Sequence, residues 1–431
     1  MKKCVGVFLV LSLMVALAPS VMATDLSVSG SFYVAGWYDD NGDLMEEETV
    51  TNGSSSAWYN TRLRIQAEYI VSPSLRLITR FDALEGYWDT PGGPREYDTG
   101  RDDDNIDFDR AYLDASTKYG RFRIGYQQDG LWGTAFGDEE YDGALIAWQT
   151  MIKGWVVGAS IAKYYEGDRG TAYTDLDMDE YQLYVVKPLA GGEAGLLVWY
   201  FDYADLKPIL DTSYCALLPY LKYRAGNLSI EAEAIYSFGN YIEWDQWVKD
   251  LLPLAEDIDL DSWSAYINAK YTMGNAYIGG QIAFVQGDDP GTDDQYEAGF
   301  SGSDYNPCLI LWNDDLVKWS GHDLGAGLGG NTTGDTMRNA WLYQLYAGIT
   351  PMPKLDLFVS LTYARADEQW NAVDKDMGEE LDVTATYQLF DNLEYLVGFG
   401  HFWAGGWYKG ADRDAEVAND YLVMHKLTLT F

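Results

Sequence analysis

Seven arginines and a group of carboxylates are spaced so that they would share one surface. Arg62 and Arg64 alternate with Leu63 and Ile65, and Arg76 and Arg80 sit on one parity with Asp82, opposite Leu75, Leu77 and Phe81. Arg110, Tyr112 and Asp114 alternate with Ala111, Leu113 and Ala115, and Arg121, Arg123 and Gln127 with Phe122, Ile124 and Tyr126. Side chains of an extended strand point to opposite faces with a period of two. Each segment therefore has a guanidinium-bearing face and an apolar face. The stretch that follows, 129–142, reads DGLWGTAFGDEEYD, a Gly-rich aromatic loop carrying Asp138, Glu139, Glu140 and Asp142. Folded inward, it would set carboxylates opposite the arginines. Fixed charges of both signs across a water-filled gap make and break no bonds, but they orient polar solutes and screen them by size and charge. The bland reading is a solvated arginine-rich face. Against it, the arginines are concentrated here while the chain has only 29 basic residues against 67 acidic ones. So much like charge on one face needs opposing carboxylates or solvent to screen it.

Other chemistry is poorly supported. Gly325, Gly327 and Gly330 form a GxGxxG that lacks the preceding strand and following helix a dinucleotide site needs. His322, His401 and His425 are the only histidines and fall in no nucleophile or metal pattern, so no enzymatic activity is expected. Asp102-Asp103-Asp104 and Asp175-x-Asp177-x-Asp179 offer carboxylate oxygens to Ca²⁺. Neither has a complete ligand loop, and a solvated acidic loop explains both. No cofactor is expected. A net charge of -38 gives no basic footprint for nucleic acid.

The elements that must position these residues are strands. Lys2 and Lys3 precede an apolar run from about Val5 to Ala18, and Val21-Met22-Ala23 is a small-residue cleavage site, so residues 1–23 read as a secretory signal peptide. From residue 24 to 431 the chain repeats about ten alternating residues and a connection, which gives about 18 strands. The count falls to 16 if the weakest, 143–150 and 216–223, are loop. No later apolar stretch is long enough for a membrane helix. Short connections, such as Lys153-Gly154 and Gly274-Asn275, alternate with long polar ones at 37–58, 85–105, 129–142, 164–179, 239–261, 286–340 and 403–419. Short turns on one side and long loops on the other are the habit of a closed transmembrane antiparallel β-barrel, which lipid allows because every backbone group is paired. An all-β barrel of this kind is the expected fold, with 286–340 as its longest extracellular loop. Aromatic pairs at strand ends, Trp37-Tyr38, Trp58-Tyr59, Tyr87-Trp88, Trp403 and Trp407-Tyr408, suit the membrane interface. Trp244, Trp247, Val248, Leu251 and Leu252 have helical spacing and predict a short helix within 239–261. Cys215 and Cys308 are permitted a disulfide outside the cytoplasm, and the sequence does not say whether they meet.

The last segment, Tyr421 to Phe431, puts Tyr421, Val423, Leu427, Leu429 and Phe431 on one face, with His425 as the exception. It resembles the terminal strand of Gram-negative outer-membrane proteins, whose final aromatic residue is read by the barrel assembly machinery. FDRAYLDAS followed by GRFRIGYQQD resembles the paired strands before the constriction loop of the bacterial porin family, specifically over about 106–142 and only in architecture elsewhere. The resemblance implies an outer-membrane location, contact with lipopolysaccharide, a homotrimer, and passive diffusion of small hydrophilic solutes and ions past an arginine wall facing an acidic loop. The alternatives are a channel specific for a sugar or organic acid, and a structural or adhesive barrel whose lumen is plugged.

Overall fold

A computed structural model describes residues 25–45, 55–88, 106–139, 141–167, 176–321, 323–326 and 331–431. The leader at 1–23, the Asp102–Asp104 run, Glu140, Asp175, His322, Gly327 and Gly330 lie outside these residues. Eighteen long strands follow one another around a closed antiparallel barrel. They are β1 Asp25–Asp39, β2 Ser56–Ser72, β3 Leu75–Tyr87, β4 Ile106–Thr117, β5 Gly120–Asp129, β6 Tyr141–Ile152, β7 Trp155–Tyr165, β8 Met178–Leu189 and β9 Gly192–Tyr203. The circuit continues with β10 Leu210–Ala225, β11 Leu228–Trp244, β12 Ile258–Met273, β13 Ala276–Val285, β14 Ala340–Met352, β15 Leu355–Ala366, β16 Asp376–Phe390, β17 Leu393–Ala404 and β18 Asp420–Thr430. β18 pairs with β1 and closes the ring. Both weak segments, 143–150 and 216–223, are strands, within β6 and β10. A further two-residue strand, Gln295–Tyr296, runs parallel to Asp259 and Leu260 of β12. Among the described residues no helix is long and apolar enough to cross a membrane.

Alternation fixes the register. Leu113, Ile124, Ile146 and Ile161 are direct neighbours across β4 to β7, and all are exposed on the outer face. One residue along, Asp114, Arg123, Ala147, Ser160 and Gln182 form the matching inner row across β4 to β8. A slip by one residue would exchange the two rows, so the apolar outer surface specifies the pairing. Each connection on one side of the barrel is two residues. In the turn after β6, Lys153 and Gly154 have φ of 50° and 78°, the left-handed conformation that two-residue hairpins require. The start of β1 and the end of β18 lie on this same side. Across the seam Gly30 exchanges backbone hydrogen bonds with Phe431 at 2.9 and 3.0 Å. A Cβ at Gly30 would sit 2.8 Å from the Phe431 ring, so only glycine admits that closing contact.

Two expectations need correction. The aromatic pairs do not form a girdle as pairs, because adjacent strand residues such as Trp37 and Tyr38 face opposite ways, and Trp407-Tyr408 lies in a short 3-10 helix, Gly406–Lys409, with both rings buried. Tyr38, Tyr59, Trp88 and Trp403 are exposed, whereas Trp37, Trp407 and Tyr408 are buried among inward-facing groups. The 286–340 stretch is not a simple external loop either. Within 286–339 the described residues carry a seven-residue helix, Asp314–Ser320, and bury Trp312, Trp319, Ile310, Leu311 and Met337 against the inner face of the barrel. The short helix expected near 244–252 is present as Gln246–Leu251, with Val248 buried.

Candidate functional site: a charged wall and two infolded loops

The inner faces of β2 to β5 carry the seven arginines, and their partners come mainly from the same wall. Arg64 grips Asp82 with two parallel bonds of 2.8 and 2.7 Å, and Arg62 stands 4.0 Å from Asp82 and 3.9 Å from Glu85. Arg80 and Arg110 are paired in register, where their like charges would repel. Carboxylates separate them: Asp109 lies 2.6 Å from Arg80, and Asp142 lies 3.2 Å from Arg80 and 2.8 Å from Arg110. Arg76 bridges Glu68 at 3.2 Å and Asp114 at 3.1 Å, while Arg121 grips Asp114 at 2.8 and 2.6 Å. Six guanidiniums thus face six carboxylates, and the fork geometry of arginine suits these bidentate contacts.

Arg123 is different. Its register neighbours are Asp114, already held by Arg76 and Arg121, and Ala147. Among the described residues it makes no ion pair, and the small side chain opposite leaves room beside it. A cavity of about 300 Å³ opens there, lined by Arg123, Trp132, Gln149, Ser160, Gln182 and Tyr184 among others. Tyr184 donates to Gln149 at 3.1 Å, Ser160 to Gln182 at 2.9 Å, and Gln182 to the Asp129 carboxylate at 2.7 Å; Asp129 and the Asp114-bound Arg121 line the same cavity. The guanidinium of Arg123 is the cationic group left facing that space.

The loop between β5 and β6 does fold inward, as its glycines and aromatics suggested, but among the described residues its Asp138 and Glu139 carboxylates form no ion pair with the arginines. Asp129 ends β5, and Tyr141 and Asp142 begin β6, so Asp142 pairs with arginine from the wall and not from the loop. Trp132 donates from its indole to the Leu218 carbonyl on β10 at 2.8 Å and packs edge-on against Tyr220. The tip reaches β11, where Glu233 accepts both the amide and the hydroxyl of Thr134 at 2.7 Å. Gly133 has φ of 61°, and a Cβ there would lie 2.1 Å from the Glu233 carboxylate. Both facts demand glycine. Phe136 stacks on Tyr266 of β12 and meets Tyr305 edge-on.

Asp138 and Glu139 therefore face the other infolded segment. The Gly302 amide donates to the Phe136 carbonyl at 2.8 Å and that of Asp304 to the Asp138 carbonyl at 3.2 Å. Burial first, then the charge of Asp304, pushes Asp138 up to about 6, partly offset by the Trp132 amide that it accepts at 3.2 Å. Burial, with Asp304 and Asp335, also raises Glu139.

The second segment crosses the remaining lumen. Glu380 on β16 accepts the amides of Ile310 at 2.7 Å and Leu311 at 2.9 Å, and Gln344 on β14 donates to the Pro307 carbonyl at 2.7 Å. On the far side Lys318 pairs with Glu85 at 2.7 Å, Lys426 with Asp315 at 3.1 Å, and the Tyr87 hydroxyl donates to the Trp319 carbonyl. Sequence reasoning missed both tethers, Glu233 and Glu380. It also missed the infolding of 286–339, although Cys308-Leu-Ile-Leu-Trp312 is an apolar run inside an otherwise polar stretch.

Lys163 lies 2.6 Å from Asp177 and 3.2 Å from Asp179. Cys215 on β10 and the buried Cys308 are both free thiols.

No protein-family model and no curated protein matches the sequence. Solved structures do match in fold. Pseudomonas aeruginosa OccK9 (OpdG) aligns with 13% identity over 95% of this chain and 99% of that one, at a TM-score of 0.55. A BenF-like porin from Pseudomonas fluorescens Pf-5 aligns with 10% identity over 94% and 99%, at 0.52. Acinetobacter baumannii OccAB2 aligns with 12% identity over 96% and 100%, also at 0.52. At such identities the likeness speaks for the 18-stranded barrel architecture.

Proposed function

We propose that this chain is an outer-membrane channel through which small hydrophilic solutes and ions diffuse passively. The observation that carries the proposal is the charged, water-compatible wall of β2 to β5 inside a barrel whose outer face is apolar. Barrels of 16–18 strands enclose an aqueous channel, and the fold shared with a BenF-like porin points the same way. The path runs along the arginine wall and past Arg123. Six arginines share the carboxylates beside them, and Arg123, which has no ion-pair partner among the described residues, offers its guanidinium to a solute in a cavity that also carries the Asp129 carboxylate. The acidic loop contributes by narrowing the lumen and not by forming a transverse field with the arginines.

One observation favours a second reading within the same class. Two segments fold into the lumen, and the narrowing they would cause suits a channel selective for one solute chemistry over a general pore. Liposome swelling with neutral sugars beside small carboxylates of equal size separates the two: a general pore passes both at similar rates. A complete block by 286–339 is the structural-barrel reading, and it gives no conductance. Delivery by the signal peptide, recognition of Phe431 by the assembly machinery, lipopolysaccharide contact and a homotrimer belong to the proposal. Crosslinking of the folded protein tests the last of these.

A further inference from the structure

Away from the arginine wall, the inner face of β16 holds Glu380 and Asp382, which share a face because they are two residues apart. Glu380 is 0% exposed and Asp382 2%. Cys308, brought in by the infolded 286–339 segment and 5% exposed, completes a group whose ligand atoms lie within 4.8 Å of one another. The amides of Ile310 and Leu311 orient the Glu380 carboxylate and leave each oxygen a further lone pair. Asp382 accepts from Ser360 at 3.2 Å through Oδ2, while its Oδ1 is buried with no hydrogen-bond partner. Thr362 Oγ lies 3.4 Å and Gln344 Nε2 3.8 Å from the Cys308 sulfur. The two carboxyls are in hydrogen-bond contact with each other, and among the described residues neither takes part in an ion pair.

Adjacent buried carboxylates without a cationic side chain must be neutralised by a proton or by a metal ion. A shared proton accounts for the two acids but gives no reason for a sulfur held against them. We propose that Cys308, Glu380 and Asp382 form a binding site for a divalent cation of the zinc class, which fastens the infolded segment to β16. Thiolate sulfur and carboxylate oxygen are both zinc ligands, and three protein ligands leave a fourth position for water. Calcium and magnesium take oxygen ligands and have no use for the thiol. Loading releases to solvent both the thiol proton, as the metal–sulfur bond forms, and the proton shared by the two carboxyls in the metal-free site. The channel proposal rests on the arginine wall of β2 to β5 and not on this metal, so the absence of bound metal leaves that proposal standing.

The test uses the full chain with Cys4→Ser and Cys215→Ser, folded in detergent micelles, so that Cys308 is the remaining thiol. Cd²⁺ is the probe, read by the ultraviolet thiolate-to-cadmium charge-transfer band, with Zn²⁺ as competitor. The expected result is one equivalent of Cd²⁺ per chain, displaced by Zn²⁺, and at least tenfold weaker binding in Asp382→Asn with β-sheet circular dichroism unchanged. Absence of the band, or a band of equal affinity in Asp382→Asn, overturns the proposal in favour of a shared proton or a lone thiol. Should Asp382→Asn fail to fold, X-ray absorption of the zinc-loaded chain decides: one sulfur at about 2.3 Å with oxygen neighbours supports the site, and a shell without sulfur removes it.

Discussion

Glu233→Ala should release the tip of the 130–140 loop from the far wall of the barrel. The carboxylate accepts the Thr134 amide and hydroxyl, both at 2.7 Å, and is itself buried. Hydrogen bonds to a charged acceptor contribute about 1.5–3 kcal/mol each. Removing the charge also removes its desolvation cost, so a net loss of roughly 2–4 kcal/mol is expected for the tether. At about 1.4 kcal/mol per tenfold, the released tip becomes roughly 30- to 1,000-fold more populated. Trp132 on Leu218 and Phe136 on Tyr266 still hold the rest of the loop, so the barrel should keep its fold. Hydrogen exchange reads the change directly, with amides near Thr134 exchanging faster by that factor while the amide of Gly125 in β5 does not change. Gly137→Ala, which would place a Cβ 2.4 Å from the Glu233 carboxylate, should harm the wild type yet be tolerated in Glu233→Ala. Unchanged exchange in Glu233→Ala would refute the tether.

Other perturbations test separate parts of the account. Arg64→Ala removes both close bonds to Asp82 and leaves it only Arg62 at 4.0 Å; it should cost about 1.5–3 kcal/mol, seen as a lower urea midpoint in micelles, with Arg64→Lys recovering part of it. Asp138 titrates at about 6 in the folded chain, above an ordinary aspartate, so folding favours its protonated form. Its ionised form therefore opposes folding above pH 6, and this cost is relieved as pH falls through 6 toward the unfolded value. The cation permeability ratio should decline over the same interval as the loop loses charge, and Asp138→Asn should abolish that step. Gly30→Val places a Cβ 2.3 Å from the Arg64 carbonyl and 2.8 Å from the Phe431 ring. It should lower the yield of closed barrel on refolding, measured by heat-modifiable migration.

The barrel was legible because a period of two leaves its mark on every strand. Leu113, Ile124, Ile146 and Ile161 sit on the apolar parity of their segments, and the structure aligns them in one outer row. The arginine face was legible for the same reason. Its partners were half visible, since Asp82 and Asp114 share the arginines' parity, but pairing Arg64 with Asp82 needs the register between β2 and β3. The end point of the 130–140 loop was hidden, because Thr134 meets Glu233 across 99 residues of sequence and nothing local marks that glutamate. The 286–339 segment misled through its polar, Gly-rich composition. Its lumen-filling part depends on Trp312 and Trp319, whose burial requires a wall that only the closed barrel supplies.

The most direct measurement is single-channel conductance and reversal potential of the refolded chain in a salt gradient, wild type beside Arg123→Ala and Arg110→Ala. The account predicts a stable conductance whose reversal potential shifts toward cation preference in Arg123→Ala, where an unneutralised charge is lost. A smaller shift is expected in Arg110→Ala, where Asp142 retains Arg80 as a partner. A correctly folded barrel with no conductance would contradict the channel and leave 286–339 as a complete plug.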